Sequence, residues 1–350
     1  MSTLSRCAVL VVSLFAVVAG AQVPTAAHPW HIHAVIIATF QTGVDSGDMP
    51  GELQHWVHGE HLDEALAFPA GFHPLRTNRD HTVLAMLSGT TIPNATASMM
   101  ALGLDPRFDL TRAYIFITGI AGVDPQVASM GSAAWAHFVI GDVVREIDPR
   151  DAPASWPYGL FPVTATGPNP PPLGPPAANS SWFDTNLYPL NAKLADWAFA
   201  QTKDTKLPDE PAVAAFRAKY TETPAAQRPP FVLIGDSFAS DYFWHGRRLT
   251  NFARDWVKYW TRGQGTFTMT EMEDSGFMVA IGRLQGHVDA QRVLVLRTAS
   301  NYCEPPPGLS ATDSLQAPRV GGLMAFEDTY LVGSVALHKL LATWPQMPVQ

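Results

Sequence analysis

The sequence predicts an α/β fold: a single three-layer domain in which a central mixed, mostly parallel sheet is flanked by helices. Three observations lead there. Apolar runs of strand length alternate with longer segments whose apolar residues recur at helical spacing, and several runs empty into glycine turns before a helix begins. The 350 residues are 47% hydrophobic and only 15% charged, ample for one large core. No internal repeat divides them.

Residues 1–21 carry Arg6, an apolar middle over residues 7–18 and a small-residue Ala19-Gly20-Ala21 site, the pattern of a secretory signal peptide. Cleavage near Ala21 leaves residues 22–350 as the domain, exported to a periplasmic or extracellular address. The apolar middle is shorter than the roughly 20 residues a spanning helix needs, and no later segment is longer, so the chain is not expected to span a membrane. Cys7 leaves with the signal and Cys303 is the single remaining thiol, so stability rests on packing and not on an internal disulfide. The net charge of −8 is spread without a basic stripe, which excludes a nucleic-acid partner.

Residues 33–40 (HAVIIATF) form the first strand, followed by a polar segment over residues 41–52 that holds Asp45, Asp48 and Glu52. His28, His31 and His33 match no zinc spacing and have no cysteine beside them, so neither a metal nor a cofactor is expected. Residues 82–87 form a second strand, which ends in Ser88-Gly89-Thr90-Thr91 and a helical SMMAL run. A glycine turn between strand and helix offers backbone N–H groups to an anion or to sugar hydroxyls, although a plain tight turn uses glycine as well. Residues 112–118 give a third strand, closing on the small-residue turn Gly119-Ile120-Ala121-Gly122, and residues 135–144 a further one. Over residues 151–181 the composition shifts, with PNPPPLGPP at its centre; proline at that density marks a surface insertion. Residues 194–202 and 211–220 read as helices, and residues 231–234 as a strand ending in Gly235-Asp236-Ser237-Phe238. Leu249, Phe252, Trp256, Val257 and Trp260 make a helical stripe of the kind that faces a core, and residues 328–344 form the closing helix.

The stretch over residues 268–302 organises the rest. It reads as a strand, a Glu271-Met272-Glu273 triplet, a helix with Phe277, Met278, Ile281 and Leu284 on one face, and an apolar strand over residues 293–296 that opens into a Thr298-Ala299-Ser300-Asn301 turn. In such a unit the polar groups at strand ends collect at one edge of the sheet, where α/β proteins hold ligands. Glutamates at a helix start also match the helix dipole, and a Ser-Asn pair also suits a turn.

Taken in order, VIIATF, SGTTIPNA, FITGIAG, GDSFASDYFW, TEMEDSG and VLVLRTASN resemble the nucleoside phosphorylase and nucleosidase superfamily over nearly all of the mature chain, and within it the purine nucleoside permease family. The resemblance implies a phosphorylase/hydrolase-like domain. It further implies that Glu273 accepts hydrogen bonds from the ribose 2'- and 3'-hydroxyls with Met272 against the sugar and Glu271 beside them. Gly89, Thr90, Gly119, Ile120 and Ala121 supply the loops around the substrate. Phe238, with Phe243 or Trp244, stacks on the base, and Ser300 and Asn301 meet the purine five-membered ring.

Three departures bear on activity. Asn301 stands where many members have an aspartic acid that protonates the purine; an amide hydrogen-bonds the ring but supplies no proton. Ile117 and Ile120 stand where phosphorylases hold phosphate with an arginine and a serine, leaving Arg76 or Arg79 as the cations that remain for that task. Gly43 stands where nucleosidases carry a water-holding glutamate, which leaves Asp45, Asp48 and Glu52, of which Glu52 is preferred because Gln54 and Trp56 mark an ordered segment. The expected function is cleavage of the N-glycosidic bond of a purine nucleoside by hydrolysis to base and ribose, with Glu52, Asp48 and Asn301 as catalytic residues. Two alternatives stay open: a non-catalytic uptake component that delivers purine nucleoside to a separate membrane carrier, and a phosphate-dependent phosphorylase. Members of the superfamily are commonly oligomers, so a homo-oligomer is part of the expectation.

Overall fold

The computed structural model of the chain describes residues 23–45, 47, 50–163, 165, 167–168, 186–317 and 320–349. The predicted signal, Asp48 and the proline-rich centre from residue 169 lie outside the described residues. In chain order, the elements that carry the argument are β1 (Ala34–Ala38), α1 (Gln54–Gly59), β2 (Val83–Leu87), α2 (Ile92–Gly103), β3 (Tyr114–Val123), β4 (Ala133–Trp135) and β5 (Phe138–Ile140). They continue with α3 (Ala192–Thr202), α4 (Pro211–Arg217), β6 (Asp236–Ala239), α5 (Arg247–Trp260), β7 (Phe267–Glu271), α6 (Asp274–Arg283), β8 (Val293–Tyr302), α7 (Ala311–Gln316) and α8 (Gly322–Thr343).

Every residue of β1 is buried, and successive side chains go to opposite faces. Val35 and Ile37 join one apolar cluster, Ala34, Ile36 and Ala38 another. A strand apolar on both faces needs cover on both. α2 and α6 supply it on one side through Ala95, Met99, Phe277 and Ile281. On the other side α1, α3 and α8 do so through Trp56, Leu194, Val332 and Leu337. The result is the predicted three-layer α/β architecture around a 12-stranded mixed sheet. Its central path runs β5, β6, β7, β3, β1, β2, and β8 lies off that path against β3 and β4. Parallel pairing joins β1 to β2 and β3, β3 to β8, and β6 to β5 and β7; β7 meets β3 and β8 meets β4 antiparallel.

Two predicted turns are strand. β3 continues through Gly119 to Val123, and β8 continues through Ser300 and Asn301 to Tyr302, because the two strands pair along their whole length. Their register shifts between Ala299 and Asn301, an irregularity that accommodates one extra residue, Ser300. The strand predicted over residues 135–144 is broken after Trp135, where Asp236 Oδ1 accepts the N–H groups of His137 and Phe138 at 3.1 and 2.9 Å. The last helix begins earlier than expected, at Gly322, and α4 ends at Arg217.

The aromatic stripe of α5 is core, as expected: Phe252, Trp256 and Trp260 pack with Phe238, Trp244 and Phe267. Burying one such ring stabilises by about 2–3 kcal/mol. The predicted insertion is not wholly on the surface. Leu160–Pro162 pairs antiparallel with Val144–Glu146, and Trp156, Leu160 and Phe161 are buried against α5, since aromatic side chains at the start of the segment outweigh the prolines that follow.

Candidate active site

At the ends of β1, β3, β7 and β8 a cavity of about 170 Å³ opens, walled by Thr39, Phe40, Glu52, Thr90 and Ile120 on one side and by Phe243, Met272, Glu273, Ser300 and Asn301 on the other. Glu52 is fixed by what it accepts. Its Oε2 takes the N–H and hydroxyl of Thr39 at 2.7 and 2.8 Å and the N–H of Phe40 at 3.3 Å, and its Oε1 takes the N–H of Ile120 at 2.8 Å. One acceptor direction of Oε1 therefore stays available to a water or a hydroxyl at the cavity wall.

Glu273 approaches from the N-cap of α6. Its Oε2 accepts the Met272 N–H at 3.2 Å, and its Oε1 that of Thr91 at 3.4 Å. Burial pushes its pKa above the usual carboxylate range; Arg297 pulls it down, and the charges of Glu52 and Asp274 push it up again.

Behind Glu273 lies a residue to which the sequence reading gave no role. Arg297 is 1% exposed and its Nη2 stands 2.5 Å from Asp274, 3.4 Å from Glu273 and 3.5 Å from Glu271. Burial alone lowers the pKa of a guanidinium, but Asp274, Glu271 and Glu273 outweigh it and hold the charge in place. The signal was in the sequence: a charge that closes the run Val293-Leu294-Val295-Leu296, buried on both faces, survives only if it is paired.

Glu271 serves the frame. Its Oε2 accepts the N–H groups of Glu273 and Asp274 at 2.6 and 2.7 Å, which anchors the start of α6. Ser237 Oγ sits 2.8 Å from both Glu271 Oε1 and Asp274 Oδ2. A hydroxyl has one proton, which it gives to one of these carboxyl groups while the other stays within reach. Burial, followed by the charge of Asp274, pushes the Glu271 pKa up.

At the far end, Ser300 donates to Asn301 Oδ1 at 2.9 Å, and Asn301 Nδ2 donates to the Tyr302 carbonyl at 3.1 Å. These bonds orient the amide and leave one N–H to point at a ligand. Phe243 forms the outer wall and is 45% exposed.

Several predicted residues stand elsewhere. Phe238 is 1% exposed inside the α5 aromatic cluster and does not wall the cavity, because β6 turns it toward Phe252 and Phe267; Trp244 lies in the same cluster. Gly119 lies behind the wall, where a Cβ would come within 2.6 Å of both Arg297 Nη1 and Glu52 Oε1. Gly89 has φ +79 and abuts Phe72, while its neighbour Thr90 reaches the cavity. The N–H groups expected to receive a ligand after this turn are engaged within the protein, Thr91 with Glu273 and Ile92 with Asp241 at 2.7 Å. Asp45 pairs with Arg76 at 2.6 Å away from the cavity wall, Ile117 is core, and Arg79 is exposed. Ile120, Ala121 and Met272 line the cavity. Among the described residues no cluster of metal-ligating side chains occurs, and no helix is long and apolar enough to cross a membrane.

The family described as Purine nucleoside permease (NUP) matches residues 31–347. A probable purine nucleoside permease of Schizosaccharomyces pombe is 31% identical over 278 residues, 76% of this chain and 78% of that protein. The purine nucleoside permease of Candida albicans is 29% identical over 277 residues, 77% of this chain and 66% of its own length. Among solved structures, the 5'-methylthioadenosine/S-adenosyl homocysteine nucleosidase of Helicobacter pylori superposes with a TM-score of 0.51 at 12% identity, covering 89% of this chain and 100% of that one. The futalosine hydrolase of H. pylori gives 0.50 at 13%, covering 88% and 98%. At these identities the likeness is one of fold.

Proposed function

Because the chain belongs to the purine nucleoside permease family, we propose that its cavity binds a purine nucleoside and hydrolyses the N-glycosidic bond there to base and ribose. Glu273 accepts from the two ribose hydroxyls, Met272 lies against the sugar, Asn301 donates to the purine ring and Phe243 covers its face. Glu52 orients the attacking water through the open acceptor direction of Oε1 and takes its proton.

The observation that carries hydrolysis is the charge of the wall. Glu52, Glu271 and Glu273 line the cavity and no cationic side chain does among the described residues, while Arg297 is committed to three carboxylates behind it. An oxocarbenium-like transition state gains from such a field, and a phosphate dianion is repelled by it. A second reading, binding without turnover for delivery to a separate carrier, is favoured by Asn301, since an amide gives the leaving purine no proton.

The test is a product assay with inosine, adenosine and guanosine, in buffer with and without phosphate. Free base and ribose at the same rate in both support hydrolysis. Phosphate-dependent release overturns it, and saturable binding without product leaves the delivery reading.

A further inference from the structure

A second pocket, of about 270 Å³, lies along the first turns of α5 and shares no lining residue with the candidate active site. Its volume is close to the roughly 300 Å³ at which small-molecule sites begin. α5 has two faces here. Phe252 and Trp256 join the aromatic core, whereas Arg247, Asn251 and Arg254, spaced at i, i+4 and i+7, line the pocket. Glu304, just beyond the end of β8, and Glu222, in the turn after α4, complete its charged lining.

These charges are not matched within the protein. Arg254 is spent: its Nε and Nη2 donate to the buried Asp124 at 2.7 and 2.5 Å, and its Nη1 donates to Asn251 Oδ1 at 2.6 Å. Glu304 is 8% exposed, yet its nearest cation is that same Arg254 at 3.7 Å, too far for a direct hydrogen bond. Burial pushes its pKa up, and Arg254 offsets only part of the shift. Arg247 acts on Glu304 through space, but among the described residues its side chain makes no hydrogen bond or ion pair. The Asn251 amide, held through its oxygen, keeps its N–H groups for a ligand. Arg247 also opens α5, so the positive end of the helix dipole adds to the field there.

We propose that this pocket is a second ligand site, for a small zwitterion of the α-amino acid class, with its carboxylate on Arg247 and Asn251 and its ammonium group on Glu304. A lone anion would leave Glu304 short of a counter-charge and bring a like charge beside it, and a lone cation would do the same to Arg247. The site does not depend on the nucleoside reading of the main cavity. It is nevertheless built on the same strand end: the Glu304 carbonyl accepts the Tyr220 phenol at 2.8 Å, and the Tyr220 ring lies 4.0 Å from that of Tyr302, the neighbour of Asn301.

The test is a thermal-shift screen of the purified protein against the common free amino acids, with propionate and ethylamine as single-charge controls, followed by calorimetry on the wild type, Arg247→Ala and Glu304→Gln. At least one amino acid is expected to bind with a Kd below about 1 mM and neither control at the same concentration. Each variant is expected to weaken that binding at least about tenfold. No binding by any amino acid, equal binding of a control, or a smaller loss in either variant overturns the assignment. Arg247 and Asn251 are exposed, so their truncation spares the core. Asn251→Ala, expected to weaken binding at least about threefold, keeps the test decisive if Glu304→Gln does not fold.

Discussion

Glu273 is a buried carboxylate whose one nearby cation among the described residues, Arg297, is shared with two other acids. Its pKa is raised first by burial and then by the charges of Glu52 and Asp274, against which Arg297 pulls it down, and in the proposed nucleoside site that shift would set the pH dependence of binding. In the proposed site the ionised form is the one that accepts from both ribose hydroxyls, so nucleoside affinity is expected to rise as pH is raised from 5 to 8 and Glu273 loses its proton. Glu273→Ala should cost roughly 100-fold in affinity and abolish that pH dependence, as titration calorimetry at both pH values would show. Arg297→Met leaves Glu271, Glu273 and Asp274 without their counter-charge, and should lower stability by about 3–5 kcal/mol in urea denaturation. The legible residues were those whose type states their chemistry. Glu52 and Glu273 were named from pattern and resemblance, and both wall the cavity. Phe238 was not legible, because the direction in which β6 turns its side chain depends on α5, which comes after it in sequence.

At the scale of elements, β3 is where the reading and the structure part most instructively. Alternating apolar runs and helical stripes located most strands and helices, yet Gly119 to Gly122 were read as a turn because glycine most often marks one. Their purpose is close approach: the backbone of β3 passes against a guanidinium from β8 and a carboxylate that precedes α1, and neither neighbour is visible from local sequence. Gly119→Ala puts a methyl group where Arg297 Nη1 and Glu52 Oε1 now lie. The expected result is a loss of about 1–3 kcal/mol of stability by denaturant midpoint. Under the proposed hydrolysis, product formation should fall by at least about tenfold while nucleoside affinity changes less, since the displaced group is the carboxylate proposed to hold the water.

For the molecule as a whole, two features of the assembled layers matter. On α8, Asp328 is fully buried beside the turn at Gly131, and neither of its oxygens has a hydrogen-bond partner among the described residues. Burial, with the charges of Glu327 and Glu210, pushes its pKa up to about 8, so the folded chain holds the proton more tightly than the unfolded one. The stabilisation is complete below the unfolded carboxylate's pKa, and is lost as pH rises through about 8. Urea denaturation at pH 5, 7 and 9 should show wild-type stability falling with pH, and Asp328→Asn should flatten the fall by on the order of a few kcal/mol. Glu271 and Glu273 titrate with the same sign, so the difference between the two proteins isolates Asp328. The other feature is the pairing of β3 with β8, which joins Ile115 to Val293 and Val123 to Tyr302, segments about 180 residues apart in the chain. On the ribosome, β3 is made long before its partner, and the half of the cavity that holds Glu52 waits for the half that holds Glu273 and Asn301. Until β8 has emerged, one side of β3 is an open apolar strand edge. A nascent chain stalled before β8 is then a client for chaperones and a seed for aggregation.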